Sequence, residues 1–127
     1  PGAARSVAVA NGYAYLADNW EGLRVIDISN PEEPTEAGFY DTPGHTVAVQ
    51  VVGDLAYVAD GGSGVRVLDV SDPASITGIA YYDTPGSSED VELLDDLVYV
   101  ADGEAGLFIV RYQEPVRVYL PLTMRNY

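Results

Sequence analysis

The chain has 127 residues, of which 47% are hydrophobic, and its 20 acidic and 6 basic residues give a formal charge of −14. This length suits one ordinary domain, and the apolar share is sufficient for a packed core. The charge argues against nucleic-acid or membrane-surface binding, because such a surface repels phosphate and anionic lipid. There is no cysteine, which excludes disulfides and thiolate chemistry, and no apolar run reaches the roughly 18 residues needed for membrane insertion.

One pentapeptide, Tyr-Asp-Thr-Pro-Gly, occurs at 40–44 and again at 82–86, and the chain opens on Pro-Gly. Residues 1–42 and 43–84 are identical at 18 of 42 positions without a gap. A third unit follows from 85, where "LVYVAD" aligns with the earlier "YAYLAD" and "LAYVAD". A fixed period of this length is the signature of a repeat architecture.

Each unit predicts four short strands in the same order. In the second unit the strands are predicted near 46–52, 55–60, 64–70 and 76–82. The first link in each unit is a hairpin turn, such as Asn11-Gly12 or Gly53-Asp54, whose residues tolerate positive φ. The third link contains proline, and the fourth is the "DTPG" connection to the next unit. Val, Ile and Tyr dominate the apolar runs, so no helix longer than two turns is expected between Ser6 and Tyr112.

The predicted strands are apolar on both faces, as in "LAYVA" and "VRVLDV". A sheet that is buried on both faces lies between two other sheets. Four strands per unit and two-sided burial predict an all-β fold of the β-propeller type, with three four-stranded antiparallel blades. A two-sheet sandwich is the alternative, but its strands should alternate more regularly between apolar and polar residues.

The segment "YVADGGSGVRVLDVSDPASITGIAYYDTPG" resembles the LVIVD repeat of bacterial and archaeal propeller proteins, and the resemblance covers residues 1–115. The resemblance implies a propeller, often within larger secreted or surface-attached proteins. It implies no defined chemistry and no cofactor, because the repeat marks a scaffold.

The third unit, 85–115, departs from the pattern at its end. Arg111 stands where the other units have Asp27 and Asp69. A last outer strand is expected over Val116–Leu120, with Pro121 ending it and 121–127 forming a C-terminal tail. The tail is similar to short endings of some secreted bacterial proteins, which suggests that Tyr127 is the C-terminus.

The recurring aspartates Asp18, Asp60 and Asp102 follow the second strand of each unit. They are expected to accept hydrogen bonds from the backbone of their own turn. A ring of Ca²⁺-binding carboxylates is the alternative, although no D-x-D-x-D-G spacing is present. Asp27 and Asp69 are expected to brace the turn that precedes Pro31 and Pro73.

Three further features of the sequence bear on possible chemistry. His45 is the only histidine and no Ser-His-Asp or Cys-His pattern is visible, so a catalytic role is not expected. Trp20, the only tryptophan, is either a packing residue or a ligand platform. The carboxylates of "EDVELLDD" at 89–96 are expected at opposite ends of one strand, so they form no paired site.

The repeat frame places the loops between second and third strands on the same side as the "DTPG" connections. The residues predicted to form an interaction face on that side are Asp18, Trp20, Glu21, Asp41, His45, Asp60, Asp83, Glu89, Asp102 and Glu104. The favoured function is a non-enzymatic scaffold for protein or carbohydrate ligands, outside the cell or at its surface. The alternatives are a carbohydrate-active hydrolase or lyase that uses these carboxylates and a Ca²⁺-stabilised surface repeat.

Three blades do not close a ring, because propellers have about four to eight. The first and third units should therefore each present an apolar face without a neighbour in the chain. Either further blades precede Pro1, which the start inside a Pro-Gly connection favours, or two copies associate three plus three. The isolated chain is expected to dimerise or aggregate rather than to remain a monomer.

Overall fold

A computed structural model describes the backbone of residues 2–113 and 118–125 and the side chains of residues 2–111. Within this part of the chain the fold is all β, with two three-residue 3₁₀ turns at Pro73–Ser75 and Gly103–Ala105. The strands form three sheets of four. The predicted fold class is thus confirmed. Among the described residues between Ser6 and Tyr112, no helix is longer than two turns, as expected.

The strands follow the 42-residue frame closely. They are β1 (Ser6–Ala10), β2 (Tyr13–Ala17), β3 (Leu23–Asp27), β4 (Thr35–Tyr40), β5 (Ala48–Val52), β6 (Leu55–Ala59), β7 (Val65–Asp69), β8 (Thr77–Tyr82), β9 (Asp90–Leu94), β10 (Leu97–Ala101), β11 (Leu107–Gln113) and β12 (Val118–Arg125). Each sheet is antiparallel and keeps chain order, so β1–β4, β5–β8 and β9–β12 are three equivalent blades.

The first two strands of each blade are joined by the predicted two-residue turns. In the first blade Ala10 pairs with Tyr13 across the turn. Asn11 and Gly12 adopt φ of 57° and 82°, and Gly53 adopts 59° in the second blade. Positive φ at these positions matches the right-handed twist of the paired strands, which explains the choice of asparagine and glycine.

A bulge recurs between the third and fourth strands of every blade. It lies between Val25 and Ile26, between Val67 and Leu68, and between Ile109 and Val110. An extra residue at this point bends the outer strand and increases its twist.

The prediction that Pro121 ends the last strand was wrong, because β12 runs through it to Arg125. Pro121 pairs with Val110, next to the bulge of the third blade and on the outermost strand. Proline is tolerated there because an edge or bulge position needs no ladder N–H. Most of the predicted tail is therefore strand, whereas Val116 lies outside the described residues.

Two apolar cores lie between the blades rather than within one. The first joins the first and second blades through Tyr15, Ala17, Leu23, Val25, Val49, Ala56, Val58, Leu68 and Val70. The second joins the second and third blades through Ala48, Tyr57, Ala59, Val65, Val67, Val91, Val98, Val100, Phe108 and Val110. The middle sheet is thus buried on both faces, as expected for a propeller blade and not for a sandwich. Tyr15 and Tyr57, which share a frame position, both pack between blades.

Candidate functional site

The connection between the first and second blades, residues 41–46, is held by the carboxylate of Asp60. The Thr42 hydroxyl donates to Asp60 Oδ1 at 2.5 Å, and the Gly44 amide donates to Oδ2 at 2.9 Å. The Thr46 hydroxyl also donates to Oδ1, at 3.2 Å. Both carboxylate oxygens are therefore satisfied by donors of the connection that precedes the same blade.

The next connection, residues 83–88, repeats this arrangement around Asp102. Thr84 Oγ1 and the Gly86 amide lie 2.5 and 2.8 Å from the two oxygens, and Ser88 Oγ lies at 3.3 Å. The side chains of Asp60 and Asp102 thus do not bind the amides of their own turns, and that prediction was wrong. The donors come from a segment 14 to 18 residues earlier in the chain, which only the folded blade brings close.

Asp60 and Asp102 are also 0% exposed, so their assignment to the interaction face was wrong. A buried carboxylate with this many donors stabilises the fold and presents no oxygen to a ligand. The two residues are part of the support beneath the face.

The Pro-Gly pair of each connection is explained by the same contact. A Cβ at Gly44 would overlap the backbone carbonyl oxygen of Asp60, and one at Gly86 would overlap that of Asp102. Only glycine allows the backbone to approach this closely. The repeated pentapeptide is therefore the segment that each aspartate holds against its blade.

Asp18 has a less complete set of partners. The Gly2 amide donates to its Oδ2 at 3.4 Å, and Arg24 Nε lies at 3.9 Å. Ala4 stands where the other blades have the hydroxyls of Thr46 and Ser88. The Asp18 side chain is 13% exposed, so Asp18 lies at the edge of the face rather than beneath it.

Asp27 and Asp69 brace the turn between third and fourth strands, as predicted. The Ser29 amide donates to Asp27 Oδ1 at 2.8 Å, and the Ser71 amide donates to Asp69 Oδ1 at 2.9 Å. The backbone N–H of Ser29, followed by its side chain, lowers the pKa of Asp27 below its usual value of 3.8. Hydrogen bonds to the charged form favour ionisation, so this carboxylate is a capping group.

Neighbouring blades are joined by backbone bridges on the predicted face. Asn19 and Thr46 exchange two N–H···O bonds of 2.9 and 3.0 Å, and Gly61 and Ser88 exchange two of 3.1 and 2.9 Å. Each bridge joins the loop between second and third strands of one blade to the connection of the next. These loops and connections therefore lie on the same side of the sheets, and we call this side the loop face.

A cleft of about 470 Å³ opens on the loop face. Its lining residues are Arg5, Trp20, Pro43, Gly44, His45, Val47, Gly61, Gly62, Ser63, Ser87 and Glu89. Arg5, Val47 and Glu89 are equivalent residues that precede the innermost strand of each blade. The cleft thus lies where the central channel of a propeller opens.

Trp20 and His45 form an aromatic pair at this cleft. Their ring centroids are 3.4 Å apart with an interplanar angle of 57°. Trp20 is 72% exposed, so the histidine contact orients the indole without covering it. Trp20 is therefore not a core packing residue, and a large apolar surface is presented beside polar groups.

The other predicted face residues are distributed around this cleft. Glu89 lines it and accepts a 2.5 Å hydrogen bond from the Ser87 hydroxyl. Glu21 pairs with Arg24 at 2.9 Å, and Asp41, Asp83 and Glu104 are exposed. The structure brings together Trp20, His45 and Glu89 from three different blades.

Arg5, Ser63 and Ser87 line the cleft but were not predicted. The repeat frame could have indicated Arg5 and Ser87, because they share frame positions with Glu89 and His45 respectively. Thr42 and Thr84 were also missed as partners of the buried aspartates. Their conspicuous place in the repeated pentapeptide was the available signal.

The carboxylates at 89–96 are separated as predicted, since Asp90 begins β9 and Asp95 and Asp96 follow its end. Among the described side chains, no three of His, Cys, Asp and Glu are arranged to hold a metal ion. In that same part of the chain, no helix has the length and apolar character needed to cross a membrane.

Three equivalent four-stranded blades with cores between them define a repeat protein of the β-propeller type. The family model for the LVIVD repeat matches residues 1–42, 43–84 and 85–110, so the chain belongs to the LVIVD repeat family. The resemblance read from the sequence is thus confirmed over residues 1–110, five residues short of the end expected for the third unit. A search of curated proteins finds no match to this chain.

Proposed function

We propose that the chain is a non-enzymatic binding scaffold that works outside the cell and binds neutral carbohydrate in the loop-face cleft. The observation that carries this proposal is Trp20, which is 72% exposed and lies in tilted contact with His45 at the edge of the cleft. An exposed indole beside a concave surface offers an apolar plane on which the C–H face of a sugar ring can lie.

The polar groups of the cleft suit sugar hydroxyls. The Ser63 hydroxyl can donate and accept, and the Ser87 hydroxyl, which donates to Glu89, can still accept. Glu89 is an acceptor and Arg5 is a donor. A few polar groups around an aromatic surface fix the orientation of a bound ligand. The formal charge of −14 disfavours anionic glycans, so the expected ligand is a neutral oligosaccharide.

The burial and hydrogen bonding of Asp60 and Asp102 support a scaffold rather than a hydrolase. Asp60 and Asp102 are buried, and each has both oxygens occupied by donors of a connection. A hydrolase of this kind needs two carboxylates that flank a bound sugar. Of the acidic residues, only Glu89 lines the cleft within the described part of the chain.

The experiment uses the fluorescence of Trp20, which reports on the cleft directly because the chain has one tryptophan. Soluble cello-, xylo-, manno- and chito-oligosaccharides are titrated into the protein. The proposal predicts a saturable change in emission with at least one neutral series, and no release of reducing ends on prolonged incubation. Calorimetry with the same sugar should then show that Trp20→Ala abolishes binding.

The matched control is Phe39→Ala, which removes an aromatic side chain that is 56% exposed on β4. This variant should retain binding. Failure of all four series to change the emission, or equal loss of binding in both variants, would contradict the carbohydrate proposal. Release of reducing ends that is lost in Glu89→Gln would contradict the non-enzymatic part.

A further inference from the structure

The three blades are equivalent in sequence position but not in burial. Val7 of β1 is 58% exposed, whereas its equivalents Val49 and Val91 are 2% and 1% exposed. Val49 and Val91 each pack on the blade before their own. Val7 therefore belongs to a face that the first blade would turn toward a preceding blade, and we call this the leading face.

The third blade shows the opposite half of the same pattern. Ala17 and Ala59 are fully buried against the blade that follows, but their equivalent Ala101 is exposed. A hollow of about 180 Å³ lies here and is lined by Asp90, Val91, Glu92, Tyr99, Ala101 and Leu107. We call this the trailing face.

The hollow has the chemistry of the sites that receive a valine at the two internal boundaries. Val49 shares a core with Tyr15, Ala17 and Leu23. The residues at the same frame positions in the third blade are Tyr99, Ala101 and Leu107, which line the hollow. The trailing face thus offers Val7 the tyrosine, alanine and leucine that share a core with Val49, together with Asp90 and Glu92 where the first blade has Ser6 and Ala8.

The backbone repeats this complementarity. At both internal boundaries a loop residue and a connection residue exchange two hydrogen bonds, as Asn19 does with Thr46. Gly103 and Ala4 hold the corresponding frame positions at the two ends. Within residues 2–113 neither takes part in such a bridge. The third blade therefore carries the loop half of such a bridge, and the first blade carries the connection half.

We propose that a second copy of this chain covers both faces, with the leading face of each copy docked on the trailing face of the other. Two chains of three blades would form a closed ring of six, which lies within the range of about four to eight blades seen in propellers. The ring has two-fold symmetry and two identical boundaries, so no face remains open. The internal boundaries of the chain are the template for both contacts.

Charge favours this head-to-tail arrangement over contact between two trailing faces. Asp90 and Glu92 line the hollow of the trailing face. Two trailing faces in contact would bring these acidic pairs together, and like charges in a buried contact are costly. Pairing of a leading face with a trailing face keeps the acidic residues of the two copies apart.

Sedimentation velocity of the 127-residue chain over a range of micromolar concentrations tests the proposal. The wild type should sediment as a species of twice the 13.6 kDa chain mass. Val7→Glu and Ala101→Arg place a charge on the leading and the trailing face, and each should give a folded monomer. Both positions are exposed in the single chain, so neither change should prevent folding, which far-UV circular dichroism can verify.

The matched control is Val52→Glu, because Val52 is also 58% exposed but lies in the middle blade, which has both neighbours. This variant should remain dimeric. A wild-type monomer would overturn the proposal and assign the faces to other blades. Loss of the dimer in Val7→Glu alone would indicate contact between two leading faces, and equal loss in Val52→Glu would indicate association elsewhere. Either result would also overturn it.

Discussion

At the scale of single residues, one aspartate holds each of the two described connections between blades. Asp60 accepts from two hydroxyls and one amide of residues 41–46, and Asp102 does the same for 83–88. The donors would otherwise be buried without partners, which is costly. Threonine, glycine and aspartate recur together in the repeat because they form this one hydrogen-bonded cluster.

Replacing Asp60 with asparagine should destabilise the protein more than the same change at Asp18. The amide nitrogen of asparagine would oppose the donors of Gly44 or Thr42, and an unsatisfied buried donor costs about 1–3 kcal/mol. Asp18 has one long hydrogen bond, so Asp18→Asn should cost about 1 kcal/mol or less. Urea unfolding monitored by circular dichroism measures both. Equal losses would contradict the assigned role of Asp60.

Replacing Gly44 with alanine should lower the free energy of unfolding by about 1–3 kcal/mol, as overpacking generally does. The new Cβ would overlap the Asp60 carbonyl oxygen and move the connection from its carboxylate. Gly62→Ala is the control, because a Cβ there meets no atom within 4 Å. It should change stability by less than about 0.5 kcal/mol. Similar unfolding midpoints for the two variants would refute the close-approach argument.

The lowered pKa of Asp27 predicts an acid-dependent contribution to stability. A carboxylate whose pKa is lower in the folded chain stabilises it above the usual value of 3.8 and loses this effect as the pH falls through the folded pKa. The stability gap between wild type and Asp27→Asn should therefore be largest near neutral pH and narrow below pH 3.8. Thermal unfolding between neutral and acidic pH measures this gap. An equal narrowing in Asp83→Asn, which removes another exposed carboxylate, would contradict the role of the Ser29 contacts.

At the scale of the elements, the strands and hairpins were predictable because local signals agree with the fold. Alternating turn residues and apolar runs place strands within two residues of β5–β8, and Asn11-Gly12 predicts its turn directly. The last strand was not predictable from Pro121 alone. The strand tolerates Pro121 because this residue pairs with Val110 beside the bulge and lies on the edge strand, and both are properties of the assembled sheet.

The candidate site was predictable in part for the same reason. The repeat frame alone places the loops and connections on one side, so Trp20, His45 and Glu89 were expected on a common face. Frame positions do not report distance across blades or burial. The Trp20–His45 contact and the burial of Asp60 and Asp102 therefore required the structure.

At the scale of the whole molecule, the packed cores and the proposed binding cleft both lie at the boundaries between blades. Both apolar cores lie at such boundaries, and the cleft opens beside them on the loop face. The chain has two internal boundaries and two half-boundaries, the leading and trailing faces. Closure of the proposed ring would place the cleft of each copy at the mouth of one central channel.

In the proposed dimer every blade, including the first, has its leading face covered in solution. Thiol labelling of single-cysteine variants tests this directly, because the natural sequence has no cysteine. Val7→Cys and Val52→Cys place thiols at positions of equal exposure, 58%, in the single chain. We expect that at micromolar concentration a maleimide reacts with Val7→Cys much more slowly than with Val52→Cys, and that dilution removes the difference. Equal rates at every concentration would contradict it.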